Sequence, residues 1–228
     1  MPHHAFFATC PKGMEDLLVH ELKSYGAGAV KETRAGVSFS GPLEIAYRAC
    51  LWSRVASRIL LPLASFPAKT PQMLYEHVRD LRWQEHLGPR QTLAVDCTTS
   101  ESEISHAHYA ALKTKDAVVD QIRDLTGARP SVDVHHPHVR IHVRLHRNQA
   151  TVSIDLSGES LHRRGYRRAA GPAPLKENVA AAILLLAGWP QLARQHAPFV
   201  DPMCGSATLP IEAALIARGV PANGFSAQ

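Results

Sequence analysis

Residues 197–217 constrain the fold of this chain more than any other stretch. An apolar pair, Phe199-Val200, leads into Asp201; four small residues, Gly205, Ser206, Ala207 and Thr208, follow; an apolar run then extends to Ala217 and stops near Gly219. The pattern predicts a short buried strand, a tight turn and a helix. Pro210 is tolerated only in a first helical turn, where its missing N–H is not needed. Leu209, Ala213 and Ile216 fall on one helical face and Ile211 and Leu215 on another, so the helix is expected to be buried on two sides. Such a unit offers backbone N–H groups and the positive end of a helix dipole to a ligand. An Asp at the strand end suits a cation or an amine donor.

The turn excludes two cofactor classes. A Walker loop needs Lys after its second Gly, and Ala207 precedes Thr208 here. A dinucleotide fingerprint needs G-x-G-x-x-G, of which only Gly205 is present. The string Asp201-Pro202-Met203-Cys204-Gly205-Ser206-Ala207-Thr208 resembles the S-adenosylmethionine loop Asp-Pro-Met-Cys-Gly-Ser-Gly-Thr of a group of RNA and DNA amino-methyltransferases. It departs only at Ala207, where Gly is usual. Glycine serves where backbone must approach a ligand or take a positive φ. An alanine with helical dihedrals at 207 costs little; one forced to positive φ is strained, at the expense of cofactor binding.

Length and composition bound the rest. A chain of 228 residues with 45% hydrophobic content can bury a substantial core. No run of 18 apolar residues is present and the N-terminus lacks a signal-peptide plan, so neither a membrane span nor a leader is expected. Cys10, Cys50, Cys97 and Cys204 are scattered with no Cys-x-x-Cys pair, which reads as reduced thiols in a cytoplasmic protein. Net charge is +5, and residues 129–168, with eight Arg, no Lys and three acids, carry the same +5 by themselves. A local basic segment of this kind points to a polyanion partner.

Taken in order, the chain predicts a strand over 5–9, a helix from Pro11 to about Tyr25, a hairpin of 30–33 with 37–40, and a helix from Pro42 that buries Leu43, Ala46, Tyr47 and Cys50. A strand over 55–64 completes a β-α-β-β-α-β order, that of a ferredoxin-like unit. Thr70 can cap a helix begun by Pro71 and running to about Leu81. A strand over 92–98, a helix over 105–126 with Leu112, Val119 and Ile122 inward and Gly127 as its stop, and a short strand over 131–134 follow. Val139, Ile141, Val143 and Leu145 alternate with Arg140, His142, Arg144 and His146, which predicts a half-buried strand; residues 147–150 turn the chain, and Val152, Ile154 and Leu156 continue the buried face. The histidines at 135, 136, 138, 142 and 146 invite a metal reading. His142 and His146 lie too far apart on a strand face to share an ion, and no Cys or carboxylate cluster stands beside them, so no metal is assigned.

Further segments extend the resemblance over nearly the whole chain. Residues 7–13, 34–37 and 46–54 look like the ferredoxin-like domain of the THUMP-containing methyltransferases, residues 109–117 like the body of a THUMP domain, residues 156–167 like its junction with the catalytic domain, and residues 173–178 like the segment that packs over the cofactor. The resemblance is strongest to the bacterial family that methylates guanine N2 in 23S ribosomal RNA. It implies an α+β ferredoxin-like unit (1–65), a THUMP RNA-binding domain (66–158), and the start of an α/β Rossmann-like methyltransferase domain (159–228). S-adenosylmethionine is the implied cofactor, held by Asp201 to Thr208 together with Lys176, Glu177 and Asn178. The implied partner is RNA, met by Lys113, Lys115, Arg140, Arg144, Arg147, Arg163, Arg164, Tyr166, Arg167 and Arg168. Tyr166 is a candidate for stacking on a base, with packing between domains as its alternative role.

The family's catalytic string, Asn/Asp-Pro-Pro-Tyr/Phe, occurs nowhere in these residues, so no catalytic residue is assigned. An acid to hold the ribose hydroxyls has no clear counterpart after the loop either. The expectation is an amino-terminal portion of the enzyme, inactive on its own. Cys204 is not read as a nucleophile, because cysteine catalysis belongs to ring-carbon methylation. A non-catalytic THUMP RNA-binding adaptor and a tRNA guanine-N2 methyltransferase are the alternatives; a thiouridine synthetase is disfavoured because no Ser-Gly-Gly-x-Asp-Ser loop is present.

Overall fold

The computed structural model describes residues 3–34, 36–167 and 174–224. The chain divides into two compact units, one of residues 1–59 with 159–228 and the other of residues 60–158. The first unit opens with β1 (His4–Thr9), α1 (Glu15–Ser24), β2 (Gly28–Thr33), β3 (Gly36–Gly41) and α2 (Leu43–Trp52). β3 runs antiparallel to both β1 and β2. Phe6 and Phe39 stack at 5.2 Å and, like Leu18 and Leu22 of α1, are buried.

Three expectations are corrected in this segment. α1 starts at Glu15 and not at Pro11, because Gly13 sits at φ +85°, outside the helical region, and ends the turn begun at Pro11. Tyr47 is 53% exposed; α2 buries Ile45, Ala46 and Ala49. The strand expected from Val55 begins at Arg58. Residues 53–55 are held instead by the Glu21 carboxylate, which accepts from Ser53 Oγ (2.5 Å), Arg54 N (2.9 Å) and Val55 N (3.4 Å). Backbone donors satisfied by a carboxylate have no need of a sheet partner.

β4 (Arg58–Pro67) completes the β-α-β-β-α-β order and leads into the second unit: α3 (Pro71–Arg79), a 3-10 turn (Trp83–Glu85), β5 (Thr92–Ser100), α4 (Ala107–Thr126), β6 (Ser131–Val132), β7 (Val139–His146) and β8 (Gln149–Asp155). Its sheet runs β4-β8-β7-β5-β6. β5 is parallel to β6 and β7, whereas β7–β8 and β8–β4 are antiparallel. Thr70 Oγ1 caps α3 by accepting from Met73 N at 3.2 Å, with Pro71 in the first turn, and Gly127 ends α4 at φ 73°. Arg147 and Asn148, at φ 51° and 60°, form the two-residue turn between β7 and β8, the backbone that matches the natural twist of a hairpin. β7 alternates as its sequence predicts: Ile141, Val143 and Leu145 join Trp83, Leu93 and the inner faces of α3 and α4 in one core.

Leu112 departs from expectation at 42% exposure. α4 turns Ala110, Thr114, Ala117, Val118, Val119 and Ile122 inward, a face with small residues along it that admits close packing. β6 ends at Val132 because Asp133 Oδ1 accepts from His135 N and His136 N, both at 3.0 Å, and turns the chain.

The chain then adds α5 (Glu177–Leu186), α6 (Trp189–Arg194) and α7 (Thr208–Ala217) to the first unit. Leu184, Trp189 and Ala213 form a small core with Phe199, Leu209 and Ile216 packed on it, and Trp189 Nε1 donates to Ala213 O at 2.8 Å. The strand expected at 199–200 is absent. Phe199 meets the Trp189 ring edge-on at 5.1 Å, but Val200 is 79% exposed, and no described strand pairs with this segment. The apolar signal at Phe199 is met by side-chain packing without a ladder, which an unpaired strand cannot form.

Candidate functional site

The loop before α7 is tightly turned. Asp201 Oδ1 accepts from Met203 N at 3.1 Å, Ala207 N donates to Cys204 O at 2.7 Å, and Gly205 lies at φ 52° with open space where a Cβ would project. Pro202, Met203, Cys204, Gly205 and Ser206 are exposed, while Thr208 is buried at the first position of α7. Ala207 adopts φ 58° and ψ 26°, a left-handed conformation. The residue that replaces the usual glycine therefore occupies the backbone region that favours glycine.

Arg167 ties this loop to the start of α5. Its Nε donates to Glu177 Oε1 (3.2 Å), its NH1 to Ser206 Oγ (3.3 Å), and its NH2 to Leu175 O (2.8 Å) and Thr208 Oγ1 (3.2 Å). An open cleft of about 460 Å³ lies alongside, lined by His162, Arg163, Arg167, Leu175, Lys176 and Glu177. Burial holds the His162 imidazole below its usual range, with Glu177 pulling it up and Lys176, Arg163 and Arg58 pushing it down. Glu177 is buried against Arg167. Asn178 is buried with its Nδ2 donating to Val55 O and Ser57 Oγ, and its Oδ1 without a partner among the described residues.

The junction arginines separate by burial. Arg164 is 1% exposed and pairs at 2.5 Å with Glu212 of α7, which is fully enclosed. Its NH2 donates to Arg54 O at 2.6 Å, and Tyr166 donates from its hydroxyl to Glu212 at 2.8 Å. Arg54 in turn reaches Val220 O at 2.6 Å. Burial raises the Glu212 carboxyl above its usual range, against the opposing pull of Arg164, and burial together with Glu212 raises the Tyr166 phenol. The solvent-facing role expected of Arg164 is therefore corrected, and the Tyr166 hydroxyl is committed to this buried network. Arg163 is exposed, 4.0 Å from Glu159. Arg168 lies outside the described residues. The sequence signal for Glu212 is that of a lone acid within an apolar helix (Thr208-Leu-Pro-Ile-Glu-Ala-Ala-Leu-Ile-Ala217), which calls for a buried partner.

In the second unit the basic candidates also divide. Arg144 is exposed on β7, and Arg147 is exposed but paired with Glu101 at 2.8 Å. Arg140 is mostly covered, pairing with Asp96 at 3.0 Å and donating to Val134 O. Lys113 stands over the exposed Tyr109 ring at 5.9 Å, and Lys115 pairs with Asp116 at 2.6 Å. His138 and His146 are engaged with Thr92 and Ser100, and no group of three metal-ligating side chains is present among the described residues.

Three family models match the chain in succession: the RlmL ferredoxin-like domain at residues 5–60, the THUMP domain at 68–155, and the RMKL-like methyltransferase domain at 164–227. The chain thus carries, in order, a ferredoxin-like, a THUMP and a methyltransferase domain match. The ribosomal RNA large subunit methyltransferase K/L of Methylococcus capsulatus is 56% identical over 220 residues, 96% of this chain and 30% of that protein. The chain thus spans about 30% of the length of the curated relatives it matches. Among solved structures, SMU.472 complexed with SAH has a TM-score of 0.83 at 33% identity, covering 98% of this chain and 58% of that one. A predicted N6-adenine-specific DNA methylase from Listeria monocytogenes has a TM-score of 0.83 at 32% identity, covering 98% and 57%. The α+β ferredoxin-like and THUMP parts followed by a methyltransferase domain agree with the expected fold class. Among the described residues no helix is long and apolar enough to cross a membrane.

Proposed function

We propose that this chain supplies the RNA-binding and cofactor-holding parts of a cytoplasmic S-adenosylmethionine-dependent methyltransferase, which modifies the exocyclic N2 amine of a guanine in 23S ribosomal RNA. The observation that carries this reading is the loop 201–208, turned by left-handed residues onto the N-terminus of α7 and held from behind by Arg167. The donor set fits the cofactor: the methionine moiety carries an ammonium, suited to the Asp201 carboxylate, and a carboxylate, suited to a helix N-terminus. When bound, S-adenosylmethionine supplies an electrophilic methyl group. The residues here hold and orient; Gly205 permits close backbone approach, and Thr208 and Glu177 brace the loop. Guanine N2 is a weak nucleophile because its lone pair is delocalised into the ring. Its alignment falls to an Asn/Asp-Pro-Pro-Tyr/Phe string, which residues 1–228 do not contain, so catalysis by positioning and electrostatics requires more than these residues.

The test is methyl transfer from labelled S-adenosylmethionine to 23S ribosomal RNA by the intact protein, followed by nucleoside mass spectrometry. N2-methylguanosine is the expected product. N6-methyladenosine would redirect the assignment to adenine, and RNA binding without any transfer would favour an adaptor.

A further inference from the structure

We infer that Arg167 is a positioning residue for the cofactor loop and not an RNA-phosphate contact, an assignment that rests on the cofactor reading above. The guanidinium reaches four acceptors from separate places in the chain: the Leu175 carbonyl on the cleft wall, the Glu177 carboxylate at the start of α5, Ser206 Oγ in the loop, and Thr208 Oγ1 at the start of α7. Glu177 and Thr208 are buried, and the Arg167 side chain is itself largely covered. A planar fork with five N–H donors can serve such a divergent set; an ammonium cannot do so in one geometry.

The electrostatics of the site strengthen the assignment. Arg167 stands against the N-termini of two helices, where the backbone dipoles repel a cation. Glu177 offsets that repulsion, and Arg167 in return prevents Glu177 from being a buried, unpaired carboxylate. With its donors committed inward, Arg167 has little left to offer a phosphate. What it sets is the place of Ser206 and Thr208, and so the shape of the turn through Gly205 and Ala207. Arg163, four residues earlier and exposed, provides the contrast within the same basic run.

The experiment compares wild type, Arg167→Lys, Arg167→Gln and Arg144→Gln in the intact protein. SAH affinity is measured by calorimetry without RNA, RNA affinity across a salt series, and KM for S-adenosylmethionine against kcat. Both Arg167 variants should raise the SAH Kd about tenfold or more, raise KM for S-adenosylmethionine with kcat recovered at saturation, and leave the RNA salt slope at the wild-type value. Arg144→Gln, on β7 and outside the cleft lining, should leave SAH affinity unchanged. A double-mutant cycle of Arg167→Lys with Thr208→Val should be less than additive, because one residue acts through the other; this variant keeps the charge and carries the test if Arg167→Gln does not fold. Wild-type SAH affinity in the Arg167 variants, strict additivity, or a reduced salt slope rescued by Lys would each overturn the assignment. A wild-type protein that binds no SAH would overturn the cofactor reading itself, and this inference with it.

Discussion

Ala207→Gly offers a direct measure of how the loop is built. Ala207 holds φ 58° and ψ 26° while its N–H donates to Cys204 O and its carbonyl accepts from Ile211 N at 3.0 Å. Both hydrogen bonds are backbone bonds, so glycine keeps them. The left-handed region costs an L-residue about 1–2 kcal/mol, and glycine removes that cost. Against this, glycine gives the unfolded chain more freedom, worth about 0.4–1 kcal/mol. The net gain is about 0.5–1 kcal/mol, or roughly 1–4 °C in Tm for a chain of this size. Urea unfolding at constant m-value measures it, and SAH affinity measured in parallel should stay equal or improve. Ala207→Val should move the other way, since a β-branched residue is poorly tolerated at positive φ. A destabilised Ala207→Gly, or a Val variant as stable as wild type, would refute the left-handed assignment at 207.

Three further outcomes are expected. Glu212→Ala should destabilise by about 3–5 kcal/mol, because it leaves Arg164 charged and buried; chemical denaturation checks this, and Arg164→Met with Glu212→Leu should recover much of the loss. His162 is held below its usual range by burial, so the unfolded chain binds its proton more readily than the folded one; stability should rise as pH increases through the range below about 6.5, and His162→Gln should flatten that rise in a pH series of thermal melts. Arg144→Ala should lower the slope of log affinity for RNA against log salt by about 0.9 if it meets one phosphate of a duplex, and filter binding at several salt concentrations reads it.

Much of the fold was legible because it is locally encoded. Thr70 followed by Pro71 specifies a helix start, Gly127 a helix stop, and the alternation from Val139 to His146 a strand with one buried face; each appears in place. The failures share a cause: partners distant in sequence. Arg164 sits in a run of arginines that reads as a solvated face, and its partner lies 48 residues further on. Val55 opens an apolar run that reads as a strand, yet the Glu21 carboxylate 32 to 34 residues earlier holds residues 53–55 as a loop. At the site, the loop string was readable and the conformation of Ala207 was not, because the identity of a residue does not fix its φ when neighbouring bonds impose it. The role inferred for Arg167 was equally hidden, since its acceptors lie 8 to 41 residues further along the chain.

The discontinuity of the first unit has a consequence for synthesis. Residues 1–59 share a body with residues 159–228, and Arg54, Val55 and Ser57 wait for Arg164, Asn178 and the end of α7. About a hundred residues are made between the two halves. At about 5–20 residues per second that is a delay of roughly 5–20 s, during which Arg54 has no lasting partner for its guanidinium from the later segment. The intervening residues 60–158 hold their own core and are complete before residue 159 is made. A ribosome-bound chain stalled just after residue 158 has cleared the exit tunnel should therefore resist protease across 60–158 and be cut within 1–59, the reverse of the order in which the two segments emerge.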